Sequence, residues 1–220
     1  VLMNLGISYD VANSRDVADI DLSKYKVVII ASDQPQSFYD TMATLMPKFE
    51  DYVSKGGILE VHACDMGWQG GYWSELLPGH VHHETYYDDY NYIVDPEHPI
   101  VEGLTDDDFK YWNYVSHGYF TDLVEGTHII LVDGGERPTF IEYKFGAGVV
   151  VASMETLEWT VQRGYCQDGK ILYNTISYTY GLGVFEWLME EPEEGIIPPG
   201  GTMDITVTIN TTGMKAGEIH

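Results

Sequence analysis

Basic residues are scarce. Eleven lysines and arginines face thirty-five aspartates and glutamates, for a formal net charge of −24. Such a field repels a nucleic-acid backbone or an anionic membrane surface, so both partner classes are set aside. Cations and neutral polar ligands such as carbohydrates suit it. Cysteine is as sparse. Cys64 and Cys166 are enough for one disulfide in an oxidising compartment or for two free thiols. No uninterrupted apolar run reaches the roughly eighteen residues that mark a membrane-spanning helix, and no signal peptide, internal repeat or low-complexity tract is visible.

Aromatic residues are plentiful. Seventeen tyrosines and five tryptophans suit a protein with a polar-aromatic exterior. The apolar share is ordinary for a globular chain, and 220 residues allow one good core or a domain plus a small module. Asn210-Thr211-Thr212 is a glycosylation sequon.

Residues 1–6 read as the last turn of a helix with Gly6 as its cap, and residues 7–11 as a strand. A first strand and most of a helix are expected to precede them, and their loss to expose unpaired edges in the middle of the sheet. Residues 26–31 (KVVIIA) form a continuous β-branched run, the mark of a strand buried on both faces. Phe38, Met42, Leu45, Met46, Phe49 and Val53 recur at helical spacing, predicting one helix over 38–54 that stops at Gly56-Gly57. Residues 58–63 (ILEVHA) are the next strand. Strand, helix, strand is the grammar of a parallel sheet.

Residues 64–95 read as a long loop, with a short helix near 72–77 and a strand at 91–94. An aromatic segment follows at 111–120. Further strands are expected at 128–132, 139–143 and 149–153, and a closing helix at 169–180 capped by Gly181. From Val184 the pattern changes to turns and an alternating strand, residues 204–210 (DITVTIN).

Four segments in order resemble trehalose-utilisation-type (ThuA-like) proteins of the class I glutamine-amidotransferase-like superfamily. They are Gly56-Gly57-Ile58-Leu59-Glu60-Val61-His62, Trp73 to Gly79, Asp95-Pro96-Glu97-His98-Pro99-Ile100 with Gly103-Leu104, and Arg137-Pro138 with Phe145-Gly146-Ala147-Gly148-Val149. Glu186-Trp187-Leu188 through Ile197-Pro198-Pro199-Gly200-Gly201-Thr202, with Asp204 to Gly217, resembles the opening of bacterial and archaeal Ig-like repeats. The resemblance implies an α/β, flavodoxin-like domain over 1–181. Its sheet is open and mostly parallel, with helices on both faces. A short, incomplete Ig-like β-sandwich segment follows over 184–220. Ig-like repeats of this kind point to an extracellular or cell-surface location.

In such sheets ligands sit beyond the carboxyl ends of the strands. That rule gathers Asp33, Gln34, His62, Cys64, Asp65 and Glu155 on one face. Cys64 stands where amidotransferases keep their nucleophile, but Ala63-Cys64-Asp65-Met66-Gly67 departs from the family elbow. Ser153-Met154-Glu155-Thr156 also lacks the family's late histidine. His62, Cys64 and Glu155 are the candidate catalytic groups. Cys64 is also a candidate disulfide partner of Cys166. His80, His82 and His83, with His62, His117, Glu84, Asp88 and Asp89, are either a solvated loop or a site for a divalent cation, calcium or zinc. Asp106-Asp107-Asp108 is a solvated turn or a calcium site, and His98 opens a turn before Pro99. Trp68, His117 and Trp159, with Trp73 and Trp112, are either core or the lining of a sugar-sized cleft.

Two functions fit. One is a non-catalytic ligand-binding or structural module of a multidomain surface protein, touching other domains or neighbouring subunits. The other is a sugar-active hydrolase or related enzyme using His62, Glu155 and a metal.

Overall fold

The computed structural model describes residues 1–73, 77–184, 188–191 and 206–209. In chain order its main part comprises β1 (Val27–Ile30), α1 (Gln36–Thr44), α2 (Met46–Ser54), β2 (Ile58–His62), β3 (His82–Asp88), β4 (Asn91–Ile93), β5 (Ser116–Thr121), β6 (His128–Asp133), β7 (Pro138–Phe145), β8 (Gly148–Ser153), α3 (Leu157–Arg163) and α4 (Tyr165–Val184). One six-stranded sheet runs β1-β2-β8-β7-β6-β4, and β3 pairs with β5 in a separate ribbon. β1, β2 and β8 are parallel neighbours; the pairings of β7 with β8, β6 with β7 and β4 with β6 are antiparallel. Four of the six strands therefore point one way, against β7 and β4.

Alternation along the strands sends side chains into two cores. Leu59, Val61, Ile141, Tyr143, Val150 and Ala152 meet Tyr39, Met42, Phe49 and Val53 of α1 and α2. Phe140, Val151 and Ile130 meet Ile171, Leu172 and Ile176 of α4 on the opposite face. Helices thus cover both faces, as expected. The glycines at the β7–β8 turn have a packing reason. A Cβ on Gly148 would lie 2.2 Å from the carbonyl oxygens of both Gly57 and Val53.

Several expectations are corrected. β1 is the outer strand of an unbroken sheet, so no gap opens in its middle. Residues 7–11 form no strand. The Gly6 cap is present: Ile7 N–H donates to Leu2 O and Gly6 N–H to Met3 O, with Gly6 at φ +71°. The single helix over 38–54 is two helices, because Pro47 stands in the first turn of the second and cannot continue the first. The closing helix runs through Gly181 to Val184, and residues 166–169 at its start are left-handed. The long loop hides β3.

β9 (Leu188–Glu191) and β10 (Thr206–Ile209) pair antiparallel. The remainder of the Ig-like segment, with its sequon, lies outside the described residues, as does the middle of the expected helix near 72–77, of which residues 72, 73 and 77 are not helical. No helix among the described residues is long and apolar enough to cross a membrane.

Candidate functional site

β2 is buried along its whole length. Its alternation places Leu59 and Val61 under α1 and α2, and so turns Glu60 and His62 toward α4. A carboxylate there must be partnered. His62 Nε2 lies 2.8 Å from Glu60 Oε1, and Thr179 of α4 donates to Glu60 Oε2 at 2.6 Å. The other ring nitrogen, His62 Nδ1, lies 2.7 Å from Glu158 Oε1. Glu158, in the first turn of α3, also accepts from Ser32 at the end of β1, at 3.0 Å from its N–H and 2.6 Å from its hydroxyl. A hydrogen-bonded chain therefore runs Ser32, Glu158, His62, Glu60, Thr179.

Burial pulls the His62 pKa down, but the charges and hydrogen bonds of Glu158 and Glu60 outweigh it and raise it to about 10. Burial likewise pushes Glu158 up, and His62 and Ser32 overcome it, bringing the carboxyl down to about 2. The imidazole is thereby favoured in its protonated form, held between the Glu60 and Glu158 side chains.

Cys64 follows β2 and is buried; its thiol donates weakly to Asp65 O at 3.7 Å. Burial first, then the carboxylates of Glu158, Asp65, Glu155 and Asp33, push its pKa well above the ordinary thiol range. That environment suppresses the thiolate a nucleophile requires. Cys166 packs in the α4 core, and both cysteines are free thiols. Of the two alternatives, a Cys64–Cys166 disulfide or free thiols, the structure has the free thiols.

Asp65 is fully buried and organises the loop above it. Its carboxylate accepts from Trp73 N–H at 2.8 Å and Thr85 Oγ1 at 2.7 Å, and lies 3.1 Å from His83 Nε2. Its carbonyl accepts from His117 Nδ1. Glu155 belongs to a different network. It accepts from Asn91 Nδ2 at 2.9 Å and Ser153 Oγ at 2.6 Å, and burial raises its pKa. His62 and Ser153 are cross-strand partners, yet the His62 ring and the Glu155 carboxylate each engage other groups. Asp33 Oδ1 accepts from Gln69 N–H, and Gln34 Nε2 donates to Ser32 O. Both brace the loop over the strand ends.

The remaining candidates divide. Trp68 is 83% exposed. Trp159 donates to Trp112 O and carries the Arg163 guanidinium over its ring at 4.2 Å. His80 sits in a turn, His82 Nε2 lies 4.0 Å from Glu84, and His83 turns in to Asp65. His82 and His83 therefore approach different carboxylates, and no metal-ligand group of three is assembled among the described residues. Asp108 closes a capping box with Thr105, and Lys110 pairs with Asp107, so the acidic run is a turn. His98 opens its turn by accepting from Ile100 N–H.

Glu60, Glu158, Ser32, Thr179 and Thr85 were missed by sequence reading. Glu60 alone left a signal, as one carboxylate inside an apolar strand. A cleft of about 510 Å³ lies at the other end of β1 and β2. There Lys48 is spent on the carbonyls of Val17, Ala18 and Ile20.

No family profile matches the chain. A protein of unassigned function from Clostridium acetobutylicum, CA_P0160, is 29% identical over 98% of this chain, which spans 23% of that relative's length. Cytoplasmic protein STM3548 of Salmonella typhimurium has a TM-score of 0.56 at 20% identity, covering 80% of this chain and 83% of that one. Cytoplasmic protein STM1381 of the same organism has a TM-score of 0.55 at 13% identity, covering 81% and 84%. The chain shares their fold. A ThuA-like protein of Bacteroides uniformis also matches, with a TM-score of 0.40 at 12% identity, covering 72% of this chain and 70% of that one. The extracellular or cell-surface location expected from the sequence is withdrawn: the two fold neighbours are named as cytoplasmic proteins and the supposed disulfide is two free thiols.

Proposed function

We propose that the chain is a non-catalytic ligand-binding module of a longer polypeptide, related to the ThuA-like group, with its site over the carboxyl ends of β1, β2 and β8. The observation that carries this is the state of Cys64. A thiol sealed from solvent, with its pKa pushed up by burial and then by surrounding acidic side chains, is the reverse of an activated nucleophile. The other candidate catalytic groups support the same reading. His62 has both nitrogens engaged by glutamates, and Glu155 is enclosed by Asn91 and Ser153. Exposed tyrosines and Trp68 rim the same end of the sheet. An aromatic rim over an anionic floor suits a cation or a neutral polar ligand such as a carbohydrate. Other domains of the same polypeptide, or neighbouring subunits, are the expected macromolecular partners.

The test is thiol chemistry on native protein. Neither cysteine should react with an aromatic disulfide reagent until denaturant is added, and the Cys64→Ala variant should keep any ligand affinity. Rapid labelling of native Cys64, coupled to a turnover that Cys64→Ala abolishes, would sink the reading. The competing reading, a sugar-active hydrolase, requires His62 or Glu155 to be freed. It gains support if glycoside hydrolysis is detected and Glu155→Gln removes it.

A further inference from the structure

Apart from Tyr9 and Tyr180, the exposed aromatic side chains among the described residues all lie in residues 66–92 and 111–114. At their centre Tyr87, Tyr114 and His117 form a mutually touching triad. Ring centroids are 4.9 Å apart for Tyr87–His117, 5.3 Å for Tyr87–Tyr114 and 6.1 Å for Tyr114–His117, with planes inclined by 53° to 75°. Rings set this way present π-faces in several directions at one corner. Tyr87 is 37% exposed and Tyr114 43%, whereas His117 is the buried base.

Beneath the rings lies negative charge. His117 Nδ1 donates to the backbone of Asp65. Glu158, Asp65, Glu155 and Asp33 all act electrostatically on the thiol of the neighbouring Cys64. Burial lowers the His117 pKa, which keeps that ring neutral and electron-rich. Elsewhere the protein satisfies its rings with its own few cations. Arg137 covers Tyr86 at 3.7 Å and Tyr119 at 4.6 Å, and Arg163 covers Trp159 at 4.2 Å. Among the described residues no lysine or arginine covers the Tyr87–Tyr114–His117 corner.

From this juxtaposition we infer that the exposed rings of Tyr87 and Tyr114, seated on the buried His117, form the wall of a site for an organic ammonium group, methylated rather than bare. A bare ammonium loses strong hydration on reaching aromatic faces. A trimethylammonium group spreads its charge over methyls that contact rings directly, and cation–π attraction replaces the water. The net charge of −24 favours arrival of a cation from any direction. Asp65 cannot act as a direct salt-bridge partner, since its oxygens are occupied by Trp73, Thr85 and His83. Its charge acts through the rings. Recognition therefore depends on ring faces and diffuse negative potential, which selects a soft cation over a hydrogen-bonding one. This inference deepens the binding-module reading and rests on it.

Choline is the probe, titrated into the whole chain by calorimetry. The control is its neutral carbon isostere, in which a tert-butyl group replaces trimethylammonium. Choline should bind, and the isostere should bind about tenfold or more weakly. Tyr87→Ala and Tyr114→Ala should each weaken choline about tenfold, while Tyr87→Phe, which keeps the ring and loses the hydroxyl, should keep the affinity. Both tyrosines are exposed; should Tyr87→Ala fail to fold, Tyr114→Ala and Tyr87→Phe still decide. Equal binding of the isostere, unchanged affinity in the alanine variants, or no choline binding overturns the inference. If a neutral sugar binds at these rings and choline does not, the inference fails while the binding-module reading stands. Reactivity of native Cys64 is the separate result that removes that reading.

Discussion

His62 Nδ1 lies 2.7 Å from Glu158 Oε1, joining the end of β2 to the first turn of α3 across 96 residues of sequence. The pair makes stability depend on pH in both directions. His62 rises from 6.5 to about 10, so its contribution is complete below about 6.5 and is lost as pH climbs through about 10. Glu158 falls from 4.5 to about 2, so its contribution is complete above about 4.5 and is lost as pH drops through about 2. Thermal midpoints should therefore decline from pH 6 toward pH 10. In Glu158→Gln the alkaline decline should flatten. An unchanged slope in that variant would show that another group sets it.

Glu155 offers a separation of structural from chemical roles. Its carboxylate ties β4 to the end of β8 through Asn91 and Ser153. Glu155→Ala leaves both donors without their acceptor in the core, which costs about 2 kcal/mol. Urea denaturation should show that loss while ligand affinity per folded molecule is unchanged. A loss of affinity without a loss of stability would instead put Glu155 in contact with ligand.

Much of this architecture was legible because it rests on local pattern. KVVIIA and ILEVHA announced parallel strands, but only the second is buried along its whole length; β1 is the outer strand and is half-buried over Val27 to Ile29. β3 was not legible. Its sequence, HHETYYD, carries polar groups on both faces, and its pairing with β5 needs a partner far along the chain. The helix periodicity over 38–54 hid a break because apolar spacing persists through Pro47 while its backbone cannot continue. At the candidate site, the strand-end rule pointed to His62, Cys64 and Asp65, which lie at and just beyond the end of β2. It could not supply Ser32, Glu158 or Thr179 as partners, since those contacts span 96 to 126 residues. The sequence left disulfide and free thiols open for the same reason: two cysteines far apart in a chain do not say whether the fold brings them together, and here both are buried free thiols.

Gly148 tests the packing account of the β7–β8 turn. An added methyl would overlap two carbonyl oxygens of backbone, at 2.2 Å each, and backbone cannot step aside as a flexible side chain does. Gly148→Ala should cost about 3 kcal/mol or more. Gly126 is the contrast, with φ +81° but no atom within 4 Å of the point a Cβ would occupy. There Gly126→Ala should cost only the left-handed strain, about 1 kcal/mol. Comparable losses at the two sites would mean that conformation, not crowding, governs the glycines.

The buried charges themselves give the sharpest test of whether the Glu60–His62 pair stabilises the fold or serves another end. Both side chains are almost wholly enclosed, 3% and 1% exposed for His62 and Glu60. Removing one partner leaves the other charged and uncompensated, so His62→Leu should cost about 3 to 5 kcal/mol. Removing both takes away the stranded anion. Glu60→Leu combined with His62→Leu should recover a large part of that loss, because buried ion pairs contribute little net stability over well-packed apolar groups. Recovery should be incomplete, since Glu158 and Thr179 still face the altered positions. Denaturant midpoints of the two single variants and the double variant measure the coupling directly. Substantial recovery, with ligand affinity lost, would mean that the pair is kept for the site above it and not for the fold. If the double variant is less stable than either single one, the pair is a net stabiliser of the β2–α4 contact.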